Sequence, residues 1–158
     1  MKNILLLLLT IPLFAAAQKD PCKEIQKKVD KSTGSINYMS PYFSAKVNAI
    51  LSRDIDGRNI SDRISLSFTS KYSENAPKKI YLRFGDASIL AIEKGTAMTA
   101  PTSDNNYLCI VELPVNQVLK EKLKKNKITK IKIGDFEQGV PELTAGKIRG
   151  YASCIWNK

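Results

Sequence analysis

The chain of 158 residues offers few of the side chains on which protein catalysis depends, and it contains no histidine. Ser-His-Asp catalysis, Cys-His catalysis and a histidine-ligated zinc site are therefore excluded. A serine activated by lysine usually has that lysine three residues further on, a spacing that no serine here shows. The G-x-S-x-G, C-x-x-C and P-loop patterns are also absent from the sequence. We therefore expect no enzymatic activity and no cofactor.

Two pairs of acidic residues are spaced closely enough to suggest carboxylate chemistry, Asp54 with Asp56 and Asp135 with Glu137. Paired carboxylates can hydrolyse glycosides, but both pairs stand beside glycine in turn-like sequence, where acidic residues commonly stabilise the turn. The stretch 54–57 also suggests a calcium loop. Aligned on its glycine, an EF-hand would place Arg63 where the bidentate glutamate belongs. We predict turns here, with no catalytic and no metal-binding residue.

Three cysteines complete the reactive groups. Cys109 lies in the apolar run 107–113, which is typical of a buried strand, where cysteine behaves as a small hydrophobic residue. Cys22 and Cys154 lie in polar surroundings near the two ends of the chain. These two are the candidate disulfide, which would close a long loop, and the alternative is that all three thiols stay free.

The amino-terminal residues have the three zones of a secretory signal peptide, with Lys2 first, then the apolar run 4–14, then alanines at 15–17. The apolar run is shorter than the roughly 20 residues that cross a bilayer. No cysteine follows it directly, which argues against a lipoprotein. We expect a signal peptide at 1–17 and a single globular domain at 18–158. The mature protein would be periplasmic or secreted, with no transmembrane segment.

The chain is strongly basic, with a net charge of +10, and removal of Lys2 with the signal peptide would leave +9. Seven lysines fall close together and form a candidate anion-binding face on a predicted helix and the strand after it. The alternative is a solvated surface that keeps the protein in solution. Lysine lacks the bidentate fork of arginine, so we expect no sequence-specific binding of nucleic acid. The seven are Lys120, Lys122, Lys124, Lys125, Lys127, Lys130 and Lys132.

Hydrophobic periodicity predicts mostly strands. Apolar residues alternate in 43–51 and 62–72, and the polar turn between them predicts a β-hairpin. Further strands are predicted at 79–84, 87–92, 96–100, 107–113 and 127–133, a helix at 114–125, a turn at 30–34 and a loop at 134–146. The segments 23–41 and 147–156 fit helix or strand. This pattern predicts an α+β domain, mainly antiparallel β, with a curled sheet or small sandwich and one or two helices packed on it.

A curled antiparallel sheet can enclose an apolar ligand or present a free edge to a partner. Six aromatic residues are candidates to line such a site, and ordinary core packing is the alternative. They are Tyr38, Tyr42, Phe43, Tyr72, Tyr81 and Trp156.

Four short motifs mark a resemblance. They are Asp20-Pro21-Cys22, the turn Asp30-Lys-Ser-Thr-Gly34, the lysine-rich helix and strand from Leu119 to Ile133, and the closing Cys154-Ile155. In these the chain resembles a group of small exported bacterial proteins of unknown function. The resemblance implies no activity, and it supports pairing of Cys22 with Cys154.

Together these observations lead us to expect an exported, non-enzymatic protein that serves as an envelope or extracellular protein-interaction or structural module. Its partner would be an unknown envelope protein. The alternative is a carrier or binder of a lipid or another anionic envelope molecule, held through the lysine-rich face.

Overall fold

The computed structural model describes residues 20–42, 46–71, 79–134 and 136–157. The predicted signal peptide lies outside the described residues, and so do Phe43, Tyr72 and Asp135. The elements are a 3-10 helix at Pro21–Glu24, β1 (Gln26–Val29), β2 (Ile36–Met39), β3 (Val47–Asp56), β4 (Asn59–Ser70), β5 (Ile80–Phe84), β6 (Ile89–Ile92), β7 (Thr96–Pro101), β8 (Tyr107–Pro114), α1 (Gln117–Lys125), β9 (Ile128–Ile133), β10 (Phe136–Gly139) and α2 (Glu142–Ile155).

The strands form two antiparallel sheets. The larger sheet has six strands in the order β1-β2-β3-β4-β8-β7, and the smaller has four in the order β10-β9-β5-β6. The predicted β3–β4 hairpin is confirmed. Its turn contains Gly57 at φ +59°, a conformation that glycine adopts without the steric cost of a side chain. The α+β class, mainly antiparallel with helices packed on sheet, is the predicted one.

One hydrophobic core lies between the inner faces of the sheets and the helices. Along β3 and β4 alternate residues are buried, as the period of two in a strand requires. The stacked rings of Phe68 on β4 and Phe136 on β10, with centroids 5.8 Å apart, connect the two sheets. Helix α2 packs on β3 and buries Ile148, Ala152 and Ile155.

The chain crosses from the smaller sheet to the larger one at Gly95, between β6 and β7. A Cβ atom here would lie 2.6 Å from Cδ1 of Ile80 and 3.0 Å from Cδ2 of Leu113. Only glycine allows the backbone at position 95 to lie this close to Ile80 and Leu113 without displacing their side chains.

Two predictions about elements need correction. Residues 134–146 are not a loop, because β10 pairs with β9 there and α2 begins at Glu142. Helix α1 starts later than predicted, since the side chain of Asn116 caps it by accepting a hydrogen bond from the backbone N–H of Leu119 at 2.8 Å. Pro114 instead ends β8.

The two ambiguous segments take different structures. Residues 23–41 contain the end of the 3-10 helix and the β1–β2 hairpin. The connection of the hairpin includes the turn predicted at 30–34, with the turn itself at 31–33. Residues 147–156 fall mainly in α2. Among the described residues, no helix has the length and apolar character needed to cross a membrane.

Candidate interaction surface

The outer face of the six-stranded sheet carries an uncharged patch in a chain with a net charge of +10. Its residues alternate with buried core residues along four neighbouring strands, so their side chains lie on the opposite side of the sheet. We call these nine residues the neutral face: Asn48 and Ile50 on β3, Ser65, Ser67 and Thr69 on β4, Leu108 and Ile110 on β8, and Met98 and Ala100 on β7.

Strand register places these residues side by side. Ser67 on β4 pairs with Asn48 on one side and with Ile110 on the other, and Ile110 pairs in turn with Met98. A second row joins Thr69, Leu108 and Ala100. The side chains of one row therefore form a continuous strip across the sheet.

The neutral face mixes hydroxyl groups with exposed aliphatic groups. Met98 has 54% of its surface exposed and Leu108 has 36%, whereas the inward-facing Cys109 and Val111 have none. At one end the nearest charged residue is Glu112, which pairs with Ser65 and borders the neutral face within that row, and Arg63 follows one row further along β4. Such a surface can contact another neutral surface without desolvating a charge.

The seven predicted anion-binding lysines are mostly engaged within the protein. Lys120 Nζ lies 2.6 Å from Asp62, and Lys122 Nζ lies 2.9 Å from Asp86. Lys124 contacts Glu121 at 4.0 Å, Lys127 pairs with Glu142, and Lys130 pairs with Glu137. Lys125 and Lys132 are exposed. Five of the seven charges thus already face a carboxylate, and anion binding stays a prediction.

The most buried of these pairs belongs to a network of three charges. Asp62 accepts hydrogen bonds from Arg53 at 2.7 and 2.9 Å, and Lys120 joins it from helix α1. Burial raises the pKa of Asp62, but the hydrogen bonds from Arg53 and Lys120 together lower it by more than burial raises it. The pKa of Asp62 therefore lies below its ordinary value. The network connects Lys120 on α1 to Arg53 and Asp62 in the six-stranded sheet.

Two other lysines of the cluster, Lys122 and Lys130, pair with the carboxylates of Asp86 and Glu137. Hydrogen bonds from Ser88 and Lys122 lower the pKa of the exposed Asp86, in the turn between β5 and β6, to about 2. The hydrogen bond from Lys130 lowers the pKa of Glu137. These contacts account for Lys122 and Lys130 by ion pairs within the folded protein.

Three of the four acidic candidates, Asp54, Asp56 and Glu137, lie among the described residues. Asp54 accepts a hydrogen bond from the side chain of Asn37 at 2.5 Å, across the β2–β3 pair. Asp56 ends β3 beside the glycine turn, and Glu137 faces Lys130. In the described ranges, the single group of three ligand-bearing residues close enough for a metal ion lies elsewhere, at Asp20, Cys22 and Cys154.

The cysteines are arranged as the sequence predicted. Cys22 and Cys154 form a disulfide with their Cα atoms 5.1 Å apart. Cys109 is fully buried in β8, and burial raises the pKa of its thiol to about 11. A thiol with so high a pKa stays protonated at neutral pH and is a poor nucleophile.

The candidate aromatic residues that the structure describes differ in their burial. Tyr42 is 63% exposed, Trp156 is buried in the core, and Tyr38 packs at its edge. Three surface clefts of about 450, 610 and 510 Å³ are lined by none of these residues.

Comparison of the chain with protein-family models, with curated proteins and with solved structures gave no match.

Sequence reasoning found only part of the neutral face. The alternation of Ser65, Ser67 and Thr69 showed that one side of β4 carries hydroxyl groups. The pairing of β4 with β8 joins residues 37 to 51 positions apart, for example Ser67 with Ile110, and no local pattern signals it. The continuity of the surface could therefore be recognised only in the folded structure.

Proposed function

We propose that this protein is an exported, non-enzymatic interaction module that binds a partner protein through the neutral face. The observation that supports this most is the uncharged, partly aliphatic surface across β3, β4, β8 and β7 in a strongly basic chain. Exposed aliphatic groups gathered on one face are typical of interaction sites. The signal-like residues 1–17 and the disulfide support export.

Charge favours a partner other than a second copy of this chain. Two mature copies that each carry +9 would repel one another as they approach, whereas a neutral or acidic protein would not be repelled. The neutral face offers no positive charge to an anion, because none of its nine residues is cationic. The partner we expect is therefore a different protein that presents a flat, uncharged surface.

The size of the neutral face favours a reversible contact. With strands about 4.8 Å apart and successive residues of one face about 6.6 Å apart along a strand, nine residues cover an area on the order of 300 Å². Stable complexes bury about 800 Å² on each partner. The contact we propose is therefore weak and transient unless neighbouring strands add to it.

Two matched lysine substitutions test the proposal. Met98→Lys places a charge on the neutral face, and Leu143→Lys places the same charge on α2, where Leu143 is 73% exposed. Tagged wild-type protein and both variants would be recovered from the cells that make the protein after mild cross-linking. We expect one partner that the wild type and Leu143→Lys retain and Met98→Lys loses.

Two results would count against the neutral face. One is retention of every bound protein by Met98→Lys. The other is a loss of binding confined to a variant in which the exposed Lys125 and Lys132 are both replaced by alanine. The second result would favour the anion-binding alternative, in which a lipid or another anionic envelope molecule is the ligand.

A further inference from the structure

We propose that the reduced form of this protein binds a zinc ion through the thiolates of Cys22 and Cys154 and the carboxylate of Asp20. This inference goes beyond the proposed function and does not depend on it. In the oxidised protein the two sulfur atoms are bonded to each other and cannot serve as ligands.

The three ligand atoms are already close together. One carboxylate oxygen of Asp20 and the two Sγ atoms all lie within 4.8 Å of one another. Ligands at about 2.3 Å from a tetrahedral zinc lie roughly 3.8 Å apart, so the two Sγ atoms must separate to about that distance once the bond between them is reduced, while the carboxylate of Asp20 stays beside them. Sulfur and carboxylate oxygen are both ligands that zinc accepts.

The carboxylate is held beside the cysteines by the start of the chain's first helix. Asp20 caps the 3-10 helix, and its Oδ1 accepts a hydrogen bond from the backbone N–H of Cys22 at 3.0 Å. Asp20 and Cys22 are exposed, whereas Cys154 has only 5% of its surface exposed. A zinc ion here would have two protein ligands on the 3-10 helix side, one on α2, and a solvent-facing fourth position for water.

Other contacts hold the two helices together when the disulfide opens. The hydroxyl of Tyr151 on α2 donates a hydrogen bond to the carboxylate of Glu24 on the 3-10 helix. Pro21 packs against Gly150, where an added Cβ would lie 3.3 Å from the proline ring. The thiols are therefore kept near each other by contacts that reduction does not break.

The chemistry balances with a dithiol as reductant. The dithiol gives two electrons and two protons to the Cys22–Cys154 bond and becomes a disulfide itself. Zinc then displaces the two thiol protons into solvent as two Zn–S bonds and one Zn–O bond form. The oxidised form and the zinc form exclude each other because both use the same sulfur atoms.

The test compares zinc binding by reduced and oxidised full-length protein after the reductant is removed under nitrogen. With zinc chloride as the probe and a chromophoric chelator as competitor, we expect one zinc per reduced chain and none per oxidised chain. Asp20→Asn should weaken binding at least tenfold, and Cys22→Ser should abolish it. Bound zinc should also slow reoxidation of the two thiols.

Circular dichroism makes every outcome decisive. We expect the reduced protein to keep its native spectrum, or to regain it when zinc is added. Reduced protein that is folded but binds no zinc would overturn the proposal, and so would Asp20→Asn that binds as tightly as the wild type. Reduced protein that unfolds and is not restored by zinc would also overturn it. Cys109, fully buried in β8, is present in all these variants, so a difference in zinc binding between them cannot come from this cysteine.

Discussion

Arg53 and Asp62 face each other across the β3–β4 pair, where the guanidinium donates two hydrogen bonds to the carboxylate at 2.7 and 2.9 Å. Both side chains are less than a tenth exposed. Lys120 approaches the same carboxylate from α1. One buried anion therefore pairs with two cations and connects a helix to the larger sheet.

Removal of that anion should be costly. Asp62→Asn leaves Arg53 and Lys120 without a counter-charge in a site that excludes water, and we expect a loss of about 3–5 kcal/mol in the free energy of unfolding. Urea denaturation followed by circular dichroism measures it. Lys125→Ala, an exposed lysine on the same helix, is the control and should change stability by less than about 0.5 kcal/mol. Equal losses in the two variants would contradict a structural role for the network.

Acid should weaken the protein partly through the same carboxylate. The pKa of Asp62 is lower in the folded protein than its ordinary value, since the hydrogen bonds from Arg53 and Lys120 outweigh burial. A lowered pKa adds stability that is fully present above the unfolded pKa of about 3.9 and is lost as pH falls through the folded value. We expect the unfolding free energy of the wild type to fall more steeply than that of Asp62→Asn below about pH 5. Parallel curves would show that Asp62 does not titrate as the structure indicates.

The disulfide should be a major source of stability. Cys22 and Cys154 are 132 positions apart, and closing a loop of that length stabilises a fold by about 5 kcal/mol in the chain-entropy model. Replacing both cysteines with serine should lower the melting temperature, and reductant should lower that of the wild type alone. If reductant lowered the melting temperature of the double variant as well, the effect could not be assigned to this bond.

Two glycines should respond to alanine in opposite directions. Gly95→Ala places a Cβ 2.6 Å from Ile80, which overpacks the core, and we expect a loss of about 1–3 kcal/mol. Gly146 lies within α2 with nothing within 4 Å of an added Cβ. Gly146→Ala should stabilise the protein by about 0.5–1 kcal/mol because alanine favours the helix. Thermal denaturation of both variants checks the pair, and a stable Gly95→Ala would contradict the close crossing of the chain.

Local sequence patterns predicted the elements better than their arrangement. Alternation in β3 and β4 and the 3.6-residue period of Leu119 and Leu123 each depend on neighbours in sequence, so they are visible in the sequence. Helix α2 contains two glycines and has no side-chain cap, so its helical propensity is weak. Its docking on β3 and against Pro21 supplies the stability, and those contacts are long-range.

The lysine cluster is a second case in which long-range contacts were not visible in the local sequence. Seven lysines within thirteen residues suggested one positive face. Their carboxylate partners include Asp62, Asp86 and Glu142, which come from three distant parts of the chain. Only the tertiary fold brings these charges together, so the sequence showed the cations without their partners.

Site-specific photo-cross-linking in the cells that make the protein tests the neutral face most directly. A photoreactive residue would be placed at Met98 on the neutral face, at Leu143 on α2, or at the exposed Lys125 on α1. We predict a covalent adduct with one different protein from position 98, and none from positions 143 and 125. An adduct from position 143 or 125 without one from 98, an adduct only with a second copy, or no adduct at all would contradict the proposed function.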